Sequence, residues 1–350
     1  MALSKVDPNF LNVSQIGGRR NLLYNGAMMV AQRGTSSSSV TNNTYNCADR
    51  FIHIHTGGGY DITQSTDAPT GFLNSYKVAC STADGTLDAS DRLNIAQKLE
   101  GNDVMHLAYG SASAKTITVS FWCKSNLTGT YALEAYNYNG AYHLTKNYTI
   151  NSANTWEYKT VTFAGDTSNS INSGTGLGIS FWWWLRAGST YNSGALSSSW
   201  NTTDNQRANG QTVDLASSTS NYFNLTGCQV EIGDTATSFE HRSYVEELAL
   251  CQRYYHQGMY AFMSSSATTL MYNINFPVTM RSTPTETHRY PEGAGAVTND
   301  VYNIATAATP TFVPDGNFAD VNGLRFAYDF DAGLTADDGY QSYFTFSAEL

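Results

Sequence analysis

Apolar and polar residues alternate with a period of two over much of this chain, the pattern of strands with one buried face. Residues 116–124 set Ile117, Val119, Phe121 and Cys123 against Thr118, Ser120, Trp122 and Lys124, and a turn follows at Asn126-Leu-Thr-Gly129. Residues 131–139 place Leu133 opposite Glu134, Tyr136 and Tyr138, and residues 155–163 place Val161 and Phe163 opposite Trp156, Tyr158, Thr160 and Thr162. Residues 178–186 offer Ile179, Phe181, Trp183 and Leu185 on one side and Trp182, Trp184 and Arg186 on the other. Residues 50–55 bring His53 and His55 to a shared face. Turns about every 10 residues, with no helical pattern between strands, predict an all-β antiparallel sandwich rather than a parallel sheet.

The stretch 221–257 changes the register of the chain. Residues 222–232, YFNLTGCQVEI, alternate around Gly227, which predicts a half-buried strand with a bulge. Ser243 and Glu246 then have the spacing of a capping box, so a helix starts there. On a helical wheel Val245, Leu248, Ala249 and Gln252 share one face, while Leu250 and Tyr254 lie nearly opposite. A helix apolar on two sides has neighbours on two sides, which fits a bracket between domains and equally a helix buried within one.

Strand patterns resume at Leu270, Tyr272, Ile274 and Phe276, and FPVTMRSTPT with its prolines reads as an edge strand or its exit. Phe326, Tyr328 and Phe330 alternate again, and Phe344, Phe346, Ala348 and Leu350 share a face to the last residue. So apolar a terminus is expected to pair, within its own sheet or with a neighbouring subunit. The expected organisation is an arm at 1–20, a β domain at 21–242, a connecting helix at 243–256 and a smaller C-terminal β domain at 257–350. The arm has scattered apolar positions and is too short to fold alone, so it docks on a partner or stays loosely ordered.

Composition narrows the function. Only 14% of residues are charged, the net charge is −10 and lysine is scarce, so no basic groove for nucleic acid is expected. The 23 Tyr and 6 Trp, set among Ser, Thr, Asn and Gly, suit an adhesive surface, because aromatic rings give contact area at low entropy cost. No stretch approaches about 18 apolar residues, and the start lacks an apolar leader, so neither membrane insertion nor a signal peptide is expected. Five widely spaced cysteines without a C-x-x-C pair read as free buried thiols made in a reducing compartment.

The leading candidate site is an aromatic face built by Trp182 and Trp184 with Tyr136, Tyr138, Tyr142 and Trp200. Sugar rings present C–H faces that stack on such rings, and flanking amides and carboxylates bond their hydroxyls. The alternative is that a loop or subunit covers this face, since three consecutive tryptophans exceed what a half-exposed strand carries. His53 and His55 have a spacing compatible with a metal, and in a trimer six would gather on an axis. No Cys or carboxylate completes a site from one chain, so solvated or hydrogen-bonded histidines are the default. Gly57-Gly-Gly59 reads as a flexible turn. Carboxylate pairs such as Asp61 with Asp67, Glu100 with Asp103, or Glu231 with Glu240 are the sole hints of a glycosidase. No known nucleophile or metal-hydrolase signature accompanies them, and no enzyme, cofactor or metal is expected.

The segments NLLYNG (21–26), QKLEG (97–101), TVSFWCK (118–124), WEYKTVTF (156–163) and Val230-Glu-Ile resemble, in order, the motifs of jelly-roll carbohydrate-binding modules of families 4 and 9. NLLYNGAMMVAQRGTS (21–36), QSTDAPTGFLNSYK (64–77), AKTITVSFWCKS (114–125), NTWEYKTVTFAGDT (154–167) and TGCQVEIGDTATSFEHRSYVEELALCQRYY (226–255) resemble marine bacteriophage tail-fibre or appendage proteins. The closing FPVTMRSTPT and FTFSAEL are similar to the tails of such fibres. The resemblance implies a jelly-roll sandwich in a virion structural protein, made in the host cytoplasm, forming a homotrimer. It implies attachment to other virion proteins through the N-terminal arm and adhesion to host-surface glycans. The alternatives are a purely architectural capsid-decorating or tail-assembly protein without a sugar ligand and, further off, a polysaccharide depolymerase.

Overall fold

The computed structural model describes residues 19–41, 43–263, 269–289, 302–303, 313–314, 318–329 and 339–350. The expected arm therefore lies almost wholly outside the described residues, as do Phe330 and the side chains of Leu270, Tyr272, Phe326 and Tyr328. The chain forms two compact units, Met1–Arg242 and Ser243–Leu350.

The first unit contains β1 (Ser36–Val40), β2 (Thr44–Tyr45), β3 (Phe51–Thr56), β4 (Gly59–Ser65), β5 (Ser75–Thr82) and β6 (Arg92–Glu100). It continues through β7 (Ile117–Ser125), β8 (Gly129–Asn137), β9 (Tyr142–Ile150), β10 (Glu157–Phe163), β11 (Leu177–Ala187) and β12 (Tyr222–Ile232). They pair antiparallel in two six-stranded sheets, β1-β4-β5-β12-β7-β10 and β2-β3-β6-β11-β8-β9. From β5 onward the chain passes from sheet to sheet, stays for the β8–β9 hairpin, and returns. This strand order, 5-12-7-10 facing 6-11-8-9, is that of a jelly roll.

The alternation read from the sequence selects the inner faces. Ile117, Val119, Phe121 and Cys123 of β7 and Ile179, Phe181 and Trp183 of β11 have no exposed surface. Phe121 meets Trp183 across the sheets at 5.8 Å, edge to face, and Tyr131 meets Phe223 at 5.5 Å. Each such side chain contributes about 1.5–3 kcal/mol by leaving water. All five cysteines are free and buried.

Two strands depart from the expected pattern. β12 bulges between Thr226 and Gln229, with Gly227 at φ +61°, but it is buried on both faces rather than one. The reason is a clasp: Asn21 donates to the Cys228 carbonyl and accepts from Val230 N–H, while Cys228 N–H donates to Gly26, so residues 21–26 lie along the bulge. β11 bulges between Trp184 and Arg186. Arg186 therefore pairs with Leu93 and turns away from the face of Trp182 and Trp184, into ion pairs with Asp91, Asp84 and Asp214 at 2.6, 3.0 and 3.3 Å.

In the second unit the helix Tyr244–Gln252 has the predicted capping box, Ser243 and Glu246 each accepting from the other's backbone N–H. Its buried residues are Glu247 and Cys251, followed by buried Tyr254, whereas Val245 is 74% exposed. Of the two apolar faces, the one with Tyr254 packs within the chain, and Val245 of the other is uncovered in the single chain. The remaining strands are β13 (Tyr255–Met263), β14 (Thr269–Asn275), β15 (Thr285–Arg289), β16 (Tyr302–Asn303), β17 (Val313–Pro314), β18 (Phe318–Ala319), β19 (Gly323–Asp329) and β20 (Gly339–Ser347). β20 pairs within its own sheet, between β13 and β15, and buries Phe344, Phe346 and Ala348 with Ile274, Phe276 and Leu324.

Candidate functional site

The outward face of the β11 sheet carries four of the six predicted aromatics. Trp182 stands beside Glu134 of β8 in register, and Tyr136 lies next to Trp182 at 6.1 Å and Tyr138 at 4.9 Å. Residues 188–213 fold back over this face. They are stitched down by Ala132 N–H to Gln211 Oε1, Thr145 Oγ1 to the Arg207 carbonyl, and paired bonds between His143 and Asn201. The segment delivers Arg207, whose guanidinium lies 4.8 Å from the Tyr136 ring centre, 5.4 Å from Trp182, and 5.8 Å from Trp184 and Tyr191.

Arg207 also forks onto Glu134, Nε to Oε1 at 2.7 Å and Nη2 to Oε2 at 3.3 Å, and Trp184 Nε1 donates to the same carboxylate at 3.0 Å. Burial alone would lower the Arg207 pKa, but the attraction of Glu134 outweighs it and holds the guanidinium above its ordinary value. The charge pair and the cation–π contacts together make this roof a fixed part of the sheet's outer layer.

Trp182, Trp184, Tyr136 and Tyr138 thus come together, but Trp184 is fully buried and Trp182 nearly so. They form a floor, and the half-buried rings of Tyr136 and Tyr138 are what the cluster leaves accessible. Tyr142 is not part of it: it pairs with Asn137, on the opposite face from Tyr136. Trp200 is also elsewhere, edge-on to Tyr109 at 5.5 Å with its indole N–H on the Ala164 carbonyl. Glu134 and Arg207 are the members the aromatic pattern missed. Arg207 had a signal, being the sole Lys or Arg in residues 187–241.

His53 and His55 do share a face, but it is the interior. Their rings stack at 4.5 Å and meet Tyr60 of the other sheet edge-on at 5.3 and 5.1 Å. Burial, with a smaller contribution from His55, pushes His53 down to about 3, so the imidazole is neutral. Neither ring nitrogen of His53 has a hydrogen-bond partner among the described residues. The pair therefore faces Tyr60 inside the sandwich and not a surface where symmetry copies would meet. The glycine run does make a turn, between β3 and β4, with Gly57 and Gly58 at φ +75° and +70°.

Of the six paired carboxylates, Glu231, Glu240, Asp61 and Asp103 bond within the fold. Glu231 accepts from Thr237 and Gln229, and Glu240 accepts from the backbone of Arg20 and Asn21 and from Arg242. Asp61 accepts from Ser39 N–H, and Asp103 accepts from the Tyr24 hydroxyl.

No protein-family model matches this sequence, and no curated protein matches it. Among solved structures the chain is similar to a putative sugar-binding protein from Bacteroides thetaiotaomicron, at 11% identity and a TM-score of 0.35, over 61% of this chain and 100% of that one. It is similar to the enzymatically active domain of tailspike protein 4 of bacteriophage CBA120, at 11% identity and a TM-score of 0.32, over 61% of this chain and 21% of that one. It is also similar to the module TmCBM61 in complex with β-1,4-galactotriose, at 9% identity and a TM-score of 0.30, over 61% and 100%. The matched part spans about a fifth of the tailspike chain.

Proposed function

We propose that this chain is a non-catalytic, glycan-adhesive subunit of a virion appendage, a tail fibre or similar structure. The observation that carries the adhesive part is the rim of the β11 sheet, where a floor of Trp182 and Trp184, locked by the Arg207–Glu134 pair, presents the half-open rings of Tyr136 and Tyr138. Rings held rigidly beside polar groups lose little entropy when a sugar stacks on them. What supports the appendage part is the ordered series of fibre-like motifs through residues 21–255. In this reading a homotrimer attaches to other virion proteins through the N-terminal arm, and display of many copies turns weak single sites into useful avidity. Binding of wild type and a Tyr136→Ala/Tyr138→Ala double variant to an array of host-surface glycans tests it: the folded double variant loses binding, and unchanged binding removes these rings from the site.

A purely architectural role has one observation in its favour, the covering of both tryptophans by the chain's own residues 188–213. That reading expects no glycan binding by wild type even to the host's own surface polymer. A depolymerase would release oligosaccharide from that polymer.

A further inference from the structure

The opposite outer face, on the β12 sheet, carries a second set of aromatic rings that the first site does not use. Trp122 of β7 and Tyr158 of β10 are cross-strand neighbours, ring centres 5.4 Å apart, and Tyr158 is 44% exposed. Trp156 precedes them on the same side of β10, its indole N–H donating to Asp67 Oδ1 at 3.0 Å, with Lys124 Nζ 5.8 Å from its ring centre. Lys124 also pairs with Asp67. Burial would raise the Asp67 pKa, but the hydrogen bonds from Lys124 and Trp156 outweigh it and keep the carboxylate ionised.

Across the β12 bulge, Gly227 leaves room for two rings: a Cβ there would lie 2.7 Å from Phe72 and 3.1 Å from Trp122. Phe72 packs in turn on Phe239 and His241, at 5.1 and 5.3 Å. The rings therefore run as a strip from β10 across β7 to the bulge of β12, bordered by the exposed residues Thr160 and Thr162.

We propose that this strip is a second binding site, which takes a neutral oligosaccharide: one sugar ring stacks on Trp122 and Tyr158, and Asp67 and Lys124 bond its hydroxyls. The chemistry selects this occupant. Lys124 and Asp67 neutralise each other, so this pair adds no net charge to the strip, and Lys77, which also acts on Asp67, brings a single positive charge to its border. Rings interleaved with hydroxyls and a charge pair match the alternating C–H faces and hydroxyls of a sugar better than the contiguous apolar core of a protein interface. The site shares no residue with the rim of Tyr136 and Tyr138, so either can fail alone.

The test screens the whole chain on an array of neutral oligosaccharides of glucose, galactose, mannose and xylose, then titrates the best-bound member while recording the indole N–H signals of the six tryptophans. The expected result is a shift of the Trp122 and Trp156 signals, and affinity about tenfold or more weaker for Tyr158→Ala and Trp122→Ala. Tyr158→Ala guards against misfolding of the more buried Trp122 variant, and Asp67→Asn weakens binding with the stacking intact. Binding that survives the Tyr136→Ala/Tyr138→Ala double variant but not Tyr158→Ala upholds this site and removes the first. The reverse pattern overturns this site and leaves the first. Absence of any bound sugar overturns it, and self-association abolished by Tyr158→Ala would identify a second copy of the chain as the occupant instead.

Discussion

The two outer faces of the sandwich treat the same residue type in opposite ways. On the β11 sheet, Trp182 and Trp184 are sealed by residues 188–213, and their rings serve a buried ion pair. On the β12 sheet, Trp122 and Tyr158 lie among short polar side chains and keep their surfaces partly open. Both faces have strand alternation and outward aromatics. What separates them is the connection that follows β11, which is long enough to return across its own sheet. An outward aromatic is a binding candidate only once the path of the nearby loops is known.

The largest expected effect lies on the sealed face. Arg207→Ala leaves the Glu134 carboxylate buried without its partner and lowers stability by about 3–5 kcal/mol, measured by urea unfolding. Arg207→Lys recovers little of this, since a point charge cannot fork onto the carboxylate or stack on four rings. A loss under about 1 kcal/mol would mean that the roof is not locked.

Acid gives the next effect. His53 has a folded-state pKa far below the unfolded value of about 6.5, so its neutral form is compatible with the fold while protonation favours unfolding. Stability from this residue is complete above about pH 6.5 and lost as pH falls toward 3, at up to about 1.4 kcal/mol per pH unit. His143, which burial pushes down to about 4, adds to the slope between about pH 6.5 and 4. Tm measured across this range should fall steeply for wild type and less steeply for His53→Phe. Parallel curves would show that His53 is not buried neutral.

Smaller effects belong to the open face. Gly227→Ala places a side chain at φ +61° against Phe72 and is expected to cost about 1–2 kcal/mol, with broadening of the Trp122 indole signal as the strip is displaced. Tyr158→Ala changes stability by less than about 0.5 kcal/mol, because its ring is exposed, while removing the proposed sugar contact. A large loss of stability in that variant would turn the open face into a second structural one.

Much of the sandwich was legible because period-two alternation reports which residues face inward, whatever the partner strands are. Ile117 through Cys123, Ile179 through Trp183, and the closing Phe344, Phe346 and Ala348 all lie where that rule puts them. The capping box was equally legible, since Ser243 and Glu246 are three residues apart and need nothing distant. Arg186 was misplaced because a bulge of one residue reverses every face beyond it, and nothing in FWWWLR marks the bulge. The six aromatics of the expected site divide into two groups. Trp182, Trp184, Tyr136 and Tyr138 do gather, but Tyr142 lies beyond the turn on the other face and Trp200 is held by Tyr109 and Ala164.

The amino-acid pattern alone settled the inward faces of β7 and of most of β11, the start of the capped helix, and the low share of charged residues, because these follow from neighbours along the chain. Which outward face is covered, which rings stay open and whether His53 meets solvent or Tyr60 depended on contacts such as Glu134 with Arg207, 73 residues apart. Such contacts leave no local periodicity, since a loop's destination is set by what it packs against and not by its own sequence.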